Sequence, residues 1–283
     1  MTFTTLISVA DLKNLIAKGD VFVADCDFDL AAPDAGRAAY AGGHVPGARY
    51  FHLDDDLSGP MSGTNGRHPL PDPEQFAARL RAEGLNAGQQ VVAYDAAGGP
   101  YAARLWWLLR WVGHDAVAVL DGGKQAWEAA GEALESGPGG AITMGSFSAK
   151  APDPKATVDV AQVLANIETG ERLVIDARTP ERFRGDPNPL DPVSGHIPGA
   201  RNRWFKDNLD AAGRFKAPAV LAADFAGVLA DTAPGAVVLQ CGSGVTACHN
   251  ALAMAVAGME GAKLYPGSWS EWIVDESRPV ERG

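Results

Sequence analysis

One cysteine lies in a sequence setting that suits a reactive thiol. Cys241 follows the apolar run Ala236–Gln240 and opens the segment Cys-Gly-Ser-Gly-Val-Thr-Ala, which leads into an Ala-rich stretch typical of a helix. Gly242 and Gly244 let this loop turn its N–H groups inward, and a helix beginning at Thr246 adds the positive end of its dipole. These groups stabilise a thiolate and any anion attached to its sulfur, so Cys241 is the predicted nucleophile.

Packing and phosphate transfer are the alternatives for this cysteine. A cysteine is often a small buried apolar residue, and we predict this packing role for Cys26, in the core or at a strand edge, and for Cys248, inside the helix that follows the loop. Phosphatase loops of the type Cys-x5-Arg need the arginine to hold phosphate, whereas the sixth residue after Cys241 is Ala247. The two glycines and the hydroxyl of Ser243 favour the reactive thiol over packing.

The elements that must position this loop occur twice in the chain. Gly43–Arg49 (GHVPGAR) recurs as Gly195–Arg201 (GHIPGAR), and apolar runs precede both copies. Val91–Asp95 matches Val237–Cys241, so Asp95 stands at the cysteine position of the first copy. These matches keep the same order along the chain, which indicates two copies of one domain.

The predicted fold class is α/β, with two tandem domains that each contain a parallel sheet with helices on both faces. Short apolar runs alternate with amphipathic stretches in each copy, as expected for buried parallel strands covered by helices. Gly- and Pro-rich chain separates the copies and indicates a linker. We predict a first domain over residues 1–138, a linker over 139–157 and a second domain over 158–283.

Composition points to the compartment and to the class of partner. The 283 residues contain Lys+Arg 24 and Asp+Glu 35, a net charge of −11, which disfavours nucleic acid and anionic membranes as partners. We find neither an apolar run of ~18–20 residues nor the pattern of a secretory signal. Three cysteines are too few for a disulfide framework, so we expect reduced thiols and a cytoplasmic location. Because no His/Cys cluster has ligand spacing, neither a metal nor another cofactor is expected.

Three motifs together carry a resemblance to a known family. The tandem Gly-His-Ile-Pro-Gly-Ala signature, the loop that begins at Cys241 and the ending Tyr265–Trp272 resemble the two-domain rhodanese family and, within it, the mercaptopyruvate sulfurtransferases. The resemblance implies that Cys241 takes sulfane sulfur from mercaptopyruvate as a persulfide. The implied acceptors are cyanide, a small thiol or a reduced thioredoxin-like protein. Thiosulfate as the main donor and a non-catalytic sulfur carrier remain open as alternatives.

The resemblance also implies substrate-binding residues. A donor-binding arginine of the family corresponds to Arg182, whose planar guanidinium suits a carboxylate. The loop residues Gly242, Gly244, Val245 and Thr246 are the implied cradle around the transferred sulfur.

The resemblance also implies a second donor-binding arginine and a proton relay. The chain departs from the family pattern at the arginine. Mercaptopyruvate members usually carry an arginine before the second signature, but Asp186–Pro192 contains none, and Arg203 is the expected substitute. The implied relay consists of Asp54 and His68 of the first domain and Ser243 of the loop. Ser243 would help proton transfer as the C–S bond of the donor breaks.

The first copy is expected to be catalytically silent. A carboxylate at Asp95 cannot carry sulfane sulfur, and we expect that residue to cap a helix instead. The segment from Asp95 to Pro100 lacks Gly-x-Gly spacing, and proline has no N–H, so a poorer set of donors is expected there. His44 and His196 occur in both copies, which favours a structural role for each.

Overall fold

A computed structural model describes residues 2–283, and the proximity of their Cα atoms separates them into two compact units. Unit 1 comprises the chain up to Gly59, Pro71–Asp153 and Ala211–Phe215, and unit 2 comprises Pro60–Leu70, Pro154–Asp210 and Lys216–Gly283. The main division after Asp153 falls inside the interval predicted as linker. Residues 60–70 and 211–215 belong to units other than those that the sequence boundaries gave them.

Unit 1 is built on a parallel sheet. Its elements are β1 Leu6–Ile7, α1 Val9–Lys18, β2 Val21–Asp25, α2 Ala35–Gly42, β3 Arg49–Tyr50, α3 Pro73–Ala82, β4 Gln90–Tyr94, α4 Pro100–Trp111, β5 Val117–Leu120 and α5 Gly123–Ala129. The strand order is β1-β5-β4-β2-β3, and all pairings are parallel. Four consecutive residues of β4 are buried, which requires cover on both faces of the sheet.

Unit 2 repeats this plan. Its elements are α6 Val160–Thr169, β6 Leu173–Asp176, α7 Pro180–Arg184, β7 Arg201–Asn202, α8 Pro218–Leu229, β8 Val237–Gln240, α9 Thr246–Val256, β9 Lys263–Leu264 and α10 Ser268–Trp272. The parallel sheet has the order β7-β6-β8-β9, with β6 and β8 at its centre. The predicted α/β class with two similar parallel sheets is therefore confirmed.

Local sequence signals set the ends of the helices next to the strands. The Asp159 carboxylate and the Gln162 side chain form a capping box at the start of α6, and Gly170 ends that helix in the left-handed region, with φ 62°. The Thr179 hydroxyl caps α7, and Pro180 takes the first position, where no N–H is needed. The short helix α7 is thereby fixed directly after β6.

Each unit has its own apolar core. Ile7, Val23, Val92 and Leu120 lie in the core of unit 1, and Trp269 and Trp272 dominate that of unit 2. Trp269 and Trp272 are fully buried, so helix α10 anchors the second core. Within residues 2–283 we find no helix that combines the length and the apolar character needed to cross a membrane.

The repeated signature histidines hold the chain together in each unit. His44 stacks on Tyr40 with ring centroids 3.9 Å apart, and the backbone N–H of His44 donates to the carbonyl of Glu135 at 2.8 Å. His196 stacks on Phe183 at 3.8 Å and forms the equivalent backbone bridge. The matching contacts in both copies give these histidines the structural role that the sequence favoured.

The loop of the first copy is closed around its own carboxyl group. Asp95 is fully buried, and its two oxygens accept N–H groups of Ala97, Gly99, Tyr101 and Ala102 at 2.8–2.9 Å. The last two donors belong to the first turn of α4, which agrees with the predicted capping role. The expectation of a poor donor set was wrong, because the backbone around Pro100 still directs four N–H groups inward.

Asp25 is a buried carboxyl without the neighbouring arginine that pairs with the equivalent carboxylate of unit 2. Asp176 in unit 2 pairs with Arg178 two residues later, whereas the residue two positions after Asp25 is Asp27. The Tyr94 hydroxyl donates to Asp25 at 2.7 Å. Burial outweighs this bond and raises the pKa of Asp25 to about 6.

We expect Asp25→Asn to gain stability relative to the natural chain as pH rises. A carboxyl whose pKa is higher in the folded than in the unfolded state contributes stability at low pH, which is lost as pH rises through the folded value near 6. Between pH 4.5 and 8 the free energy of unfolding of the variant should gain about 2 kcal/mol on that of the natural chain. Urea denaturation at both pH values measures this difference. Asp34→Asn, at an exposed position, is the control, and an Asp25→Asn difference that does not change with pH would contradict the expectation.

Candidate active site

Cys241 lies at the carboxyl end of the central strand β8, directly before α9. Its thiol is almost buried, at 2% exposure of the residue, and the N–H of Gly244 points at Sγ from 3.1 Å. Gly244 has φ 79°, and a Cβ atom there would lie 2.4 Å from the Pro266 carbonyl oxygen, so the turn requires glycine. The residue before α9, Val245, provides no side-chain cap. Because α9 begins directly after the loop, the positive end of its dipole lies at the loop.

The C-terminal motif holds the loop in place. The N–H of Cys241 donates to Ser268 Oγ at 3.1 Å, and this hydroxyl donates in turn to the carbonyl of Tyr265. The N–H groups of Trp269 and Ser270 donate to the carbonyls of Cys241 and Gly242. Ser268 has the left-handed φ of 53°, uncommon for a residue other than glycine. The first turn of α10 thus holds the first two residues of the loop by hydrogen bonds.

A histidine from a distant part of the sequence meets the loop hydroxyl. His68 Nδ1 lies 2.6 Å from Ser243 Oγ, and both residues are buried. His68 belongs to the segment Pro60–Leu70, which is part of unit 2. The structure therefore brings together two of the three residues expected to form the relay.

Asp191 is a buried carboxylate close to three arginines. Its Oδ2 accepts from Arg182 Nη2 at 2.6 Å and from Arg178 Nη1 at 3.4 Å, and its Oδ1 lies 3.6 Å from Arg67 Nη1. Arg178 also pairs with Asp176 at 2.7 Å. Burial acts to lower the pKa of Arg178, but Asp176 and Asp191 outweigh burial and raise it. These residues form a charged cluster, which we call the Asp191 cluster.

Two arginines of the Asp191 cluster reach the loop that begins at Cys241. A Cβ atom on Gly242 would lie 3.0 Å from Arg182 Nη2 and 3.1 Å from Arg67 Nη2. Glycine leaves room for both guanidinium groups beside the residue that follows Cys241. The predicted site residue Arg182 therefore lies at the loop.

Arg203 and Asp54 have other surroundings. The guanidinium of Arg203 is buried against Asn208 and Asp224, at 3.1 and 3.0 Å, so Arg203 does not supply the arginine missing from residues 186–192. Asp54 belongs to unit 1, where its N–H lies 3.3 Å from His52 Nδ1, and burial raises its pKa. The catalytic role expected of Asp54 remains a prediction.

The other two thiols lie in packed surroundings. Cys26 has no exposed surface, and burial raises its pKa well above the usual range. Cys248 is equally buried, and its Sγ donates to the carbonyl of Gly244 at 3.3 Å. These environments agree with the packing role predicted for both residues.

Sequence reasoning missed Arg67, Asp191, Ser268 and Ser270. One signal was available for Ser268 and Ser270, since both lie within the motif Tyr265–Trp272 that carried part of the resemblance. Arg67 directly precedes His68, but nothing local indicates that its side chain reaches Gly242.

The site combines a nucleophile with groups for binding an anion. The thiol of Cys241 faces an N–H group and a helix N-terminus, Arg182 lies beside the adjacent glycine, and Ser243 Oγ is within hydrogen-bond distance of His68 Nδ1. Such a site can bind a carboxylate, attack an electrophilic atom near it and supply a proton. Among residues 2–283, no group of three or more His, Cys, Asp or Glu residues is arranged to hold a metal ion.

Comparison with known proteins gives consistent matches over both copies. The model of the Rhodanese-like domain matches residues 8–130 and 159–275. A probable 3-mercaptopyruvate sulfurtransferase of Pseudomonas aeruginosa is 45% identical over 285 residues, covering 100% of both chains. A putative thiosulfate sulfurtransferase of Mycobacterium tuberculosis is 40% identical, covering 98% of this chain and 97% of its own. The crystal structure of a 3-mercaptopyruvate sulfotransferase from Escherichia coli, 33% identical, covers 95% of this chain and 100% of its own with a TM-score of 0.81.

We expect a small alkylating reagent to label Cys241 first in the folded protein. Cys26 and Cys248 have no exposed surface, whereas Cys241 retains a small exposed fraction and its Sγ accepts an N–H group. Brief treatment with iodoacetamide, followed by peptide mass mapping, measures the three rates. Cys241→Ser should remain unlabelled over the same time. Labelling of Cys248 or Cys26 at a rate similar to that of Cys241 would contradict this assignment.

Proposed function

Because the chain belongs to the rhodanese-like family, we propose that it transfers sulfur from 3-mercaptopyruvate to a thiophilic acceptor through a persulfide on Cys241. It is a sulfurtransferase, and its close relatives include several of the 3-mercaptopyruvate type. The observation that carries the proposal is the position of the Arg182 guanidinium, whose Nη2 lies 3.0 Å from where a Cβ of Gly242, the residue after Cys241, would be.

The first half-reaction joins the donor sulfur to the enzyme. The Cys241 thiolate attacks the sulfur of the donor, the new S–S bond forms, and the C–S bond breaks with its electron pair moving to carbon. The resulting enolate of pyruvate takes one proton, and the outer sulfur remains on Cys241 as a persulfide. Ser243, hydrogen-bonded to His68, is the group that we assign to proton delivery.

The cradle around the sulfur suits this intermediate. A persulfide ionises to an anion one atom farther out than the thiolate, and the inward-facing N–H of Gly244 and the end of α9 favour negative charge there. Gly242, Val245 and Thr246 complete the proposed cradle. Arg182 donates to Asp191 through Nε and Nη2, and its Nη1 is left for the carboxylate end of the donor.

In the second half-reaction a nucleophile attacks the outer sulfur and releases the Cys241 thiolate. Cyanide would leave as thiocyanate, and a thiol would leave as its own persulfide. Small-molecule donors and acceptors follow from the family. We further propose a reduced thioredoxin-like protein as an acceptor. A cytoplasmic location is proposed as well, supported by three cysteines that are all thiols.

Thiosulfate is the second candidate donor, favoured by the name of the relative from Mycobacterium tuberculosis. Thiosulfate is a compact dianion that would bind best to a cation within the loop itself, where this chain has Gly242 and Ser243. A contact between opposite charges at ~4 Å contributes up to about 4 kcal/mol at an effective dielectric of ~20, before desolvation. The loop side chains provide no such contact, which supports the longer donor.

Treatment with donor alone should place one extra sulfur atom on Cys241. The N–H group and helix end that stabilise a persulfide are directed at this thiol, whereas Cys248 donates to a carbonyl. Intact mass should rise by the mass of one sulfur atom, and peptide mapping should locate it. Cys241→Ser should show no gain in mass. A sulfur atom found on Cys26 or Cys248 would overturn the assignment of the nucleophile.

Arg182→Ala should lower kcat/KM for mercaptopyruvate. The loss of transition-state stabilisation should be about 1–3 kcal/mol, the range for a lost hydrogen bond to a charged group. Steady-state rates with cyanide as the common acceptor measure this loss. Arg184→Ala, on the same helix, is the matched control, because the Arg184 side chain pairs with Glu181 and Asp186 instead. An equal loss in both variants would show that Arg182 does not bind the donor.

Ser243→Lys should shift donor preference toward thiosulfate. The substitution adds a cation to the loop and removes the hydroxyl that contacts His68. The measurement is the ratio of kcat/KM for the two donors with one acceptor, before and after the change. An unchanged ratio, or a natural enzyme that already prefers thiosulfate, would show that loop charge does not select the donor. Multiple turnovers with a small acceptor distinguish an enzyme from a stoichiometric sulfur carrier.

A further inference from the structure

We propose that Arg67 is a second donor-binding residue, which forms with Arg182 a two-guanidinium clamp for the carboxylate of an α-keto acid donor. This inference rests on the proposed function and names a specificity-determining residue for it. The segment Asp186–Pro192 contains no arginine, and Arg203 is held by other side chains. The structure brings Arg67 to the catalytic loop from elsewhere in the sequence.

The guanidinium of Arg67 is held at one end and available at the other. Its Nη1 donates to the carbonyl of Leu190 at 3.2 Å and lies 3.6 Å from Asp191 Oδ1. Its Nη2 has no hydrogen-bond partner in the part of the chain that the structure describes, and this atom lies 3.1 Å from where a Cβ of Gly242 would be. About a third of the side chain (36%) is exposed, so a ligand can reach it.

The charges of the Asp191 cluster leave a place for one anion. Three guanidinium groups stand against two carboxylates, and Asp176 is matched by Arg178 with hydrogen bonds from Nε and Nη2. Asp191 is shared among all three arginines, and its Oδ1 accepts no hydrogen bond. Among these five side chains the arginines exceed the carboxylates by one, and the Nη2 of Arg67 lies on the side that faces Gly242, where the carboxylate of a donor can bind.

Three consecutive residues fix the position of Arg67 within unit 2. Gly66 has φ 84° and packs so closely on Gly267 that a Cβ would lie 2.7 Å from its carbonyl oxygen. The N–H of Arg67 donates to Ser270 Oγ at 3.0 Å, and His68 contacts Ser243 at 2.6 Å. The backbone that carries Arg67 is therefore anchored on both sides, which reduces the conformational freedom lost when a ligand binds.

The test compares a charged donor with an uncharged analogue. We expect Arg67→Gln to lower kcat/KM for 3-mercaptopyruvate about 10-fold or more, mainly through KM, and to change kcat/KM for its ethyl ester less than about 3-fold. Arg67→Lys should lie between the natural chain and Arg67→Gln, because an ammonium keeps the charge but loses the planar fork. Arg184→Gln is the matched control, since that arginine is exposed and pairs with Asp186.

A binding measurement separates this inference from the proposed function. Pyruvate keeps the carboxylate but lacks the sulfur, so calorimetric titration of pyruvate reports on the clamp without turnover. Weaker pyruvate binding in Arg67→Gln, with Arg184→Gln unchanged, supports the clamp even if mercaptopyruvate is not turned over, which would refute only the proposed function. Equal losses with acid and ester, or unchanged pyruvate binding in Arg67→Gln, would overturn the role of Arg67.

Discussion

A carboxylate without exposed surface must be neutralised where it lies, and Asp191 meets this condition with arginines from three stretches of chain. Arg178 follows strand β6, Arg182 lies in α7, and Arg67 arrives with the segment Pro60–Leu70. Removing one partner of a buried ion pair destabilises a protein by about 3–5 kcal/mol, because a charge is left uncompensated. The arrangement of these elements inside unit 2 therefore depends on a single side chain.

The site contains two kinds of positive charge, the dipoles of backbone groups and the full charges of guanidinium groups, and each suits a different anion. The backbone N–H of Gly244 and the end of α9 face Cys241, and they suit a small anion that appears on sulfur during the reaction. Guanidinium groups face Gly242, and they suit the permanent charge of a substrate. Dipoles built into the loop need no counter-ion when the anion is absent, whereas the arginines require Asp191 for that purpose.

The sequence was sufficient for features that depend on short stretches of chain. A strand, a glycine-rich loop and a helix in succession identified the setting of Cys241, and the repeated signature identified two units with parallel sheets. The pairing of His68 with Ser243 came from the family resemblance and joins residues 175 positions apart. Arg67 lies in a segment without regular secondary structure, so no apolar periodicity could indicate where it packs.

Where the sequence misled, long-range packing was the cause. Arg203 is close to the signature along the chain, but Asn208 and Asp224 hold its guanidinium. The first loop was expected to be poor in donors because of Pro100, yet the backbone conformation still aims four N–H groups at one carboxyl. Spacing alone does not determine the direction in which a backbone N–H points.

The carboxyl group of Asp95 gives the two units different thermodynamic responses to their surroundings. The carboxyl group of Asp95 already accepts the N–H groups of the first loop, so dissolved anions do not bind there. The melting temperature of unit 1 should therefore not depend on their concentration. In the loop at Cys241 the described residues place a thiol instead of a carboxylate, and an anion that binds beside this thiol stabilises unit 2 by RT ln(1 + [L]/Kd). The thermal stability of unit 1 thus does not depend on dissolved anions, whereas that of unit 2 rises with the concentration of an anion that binds to it.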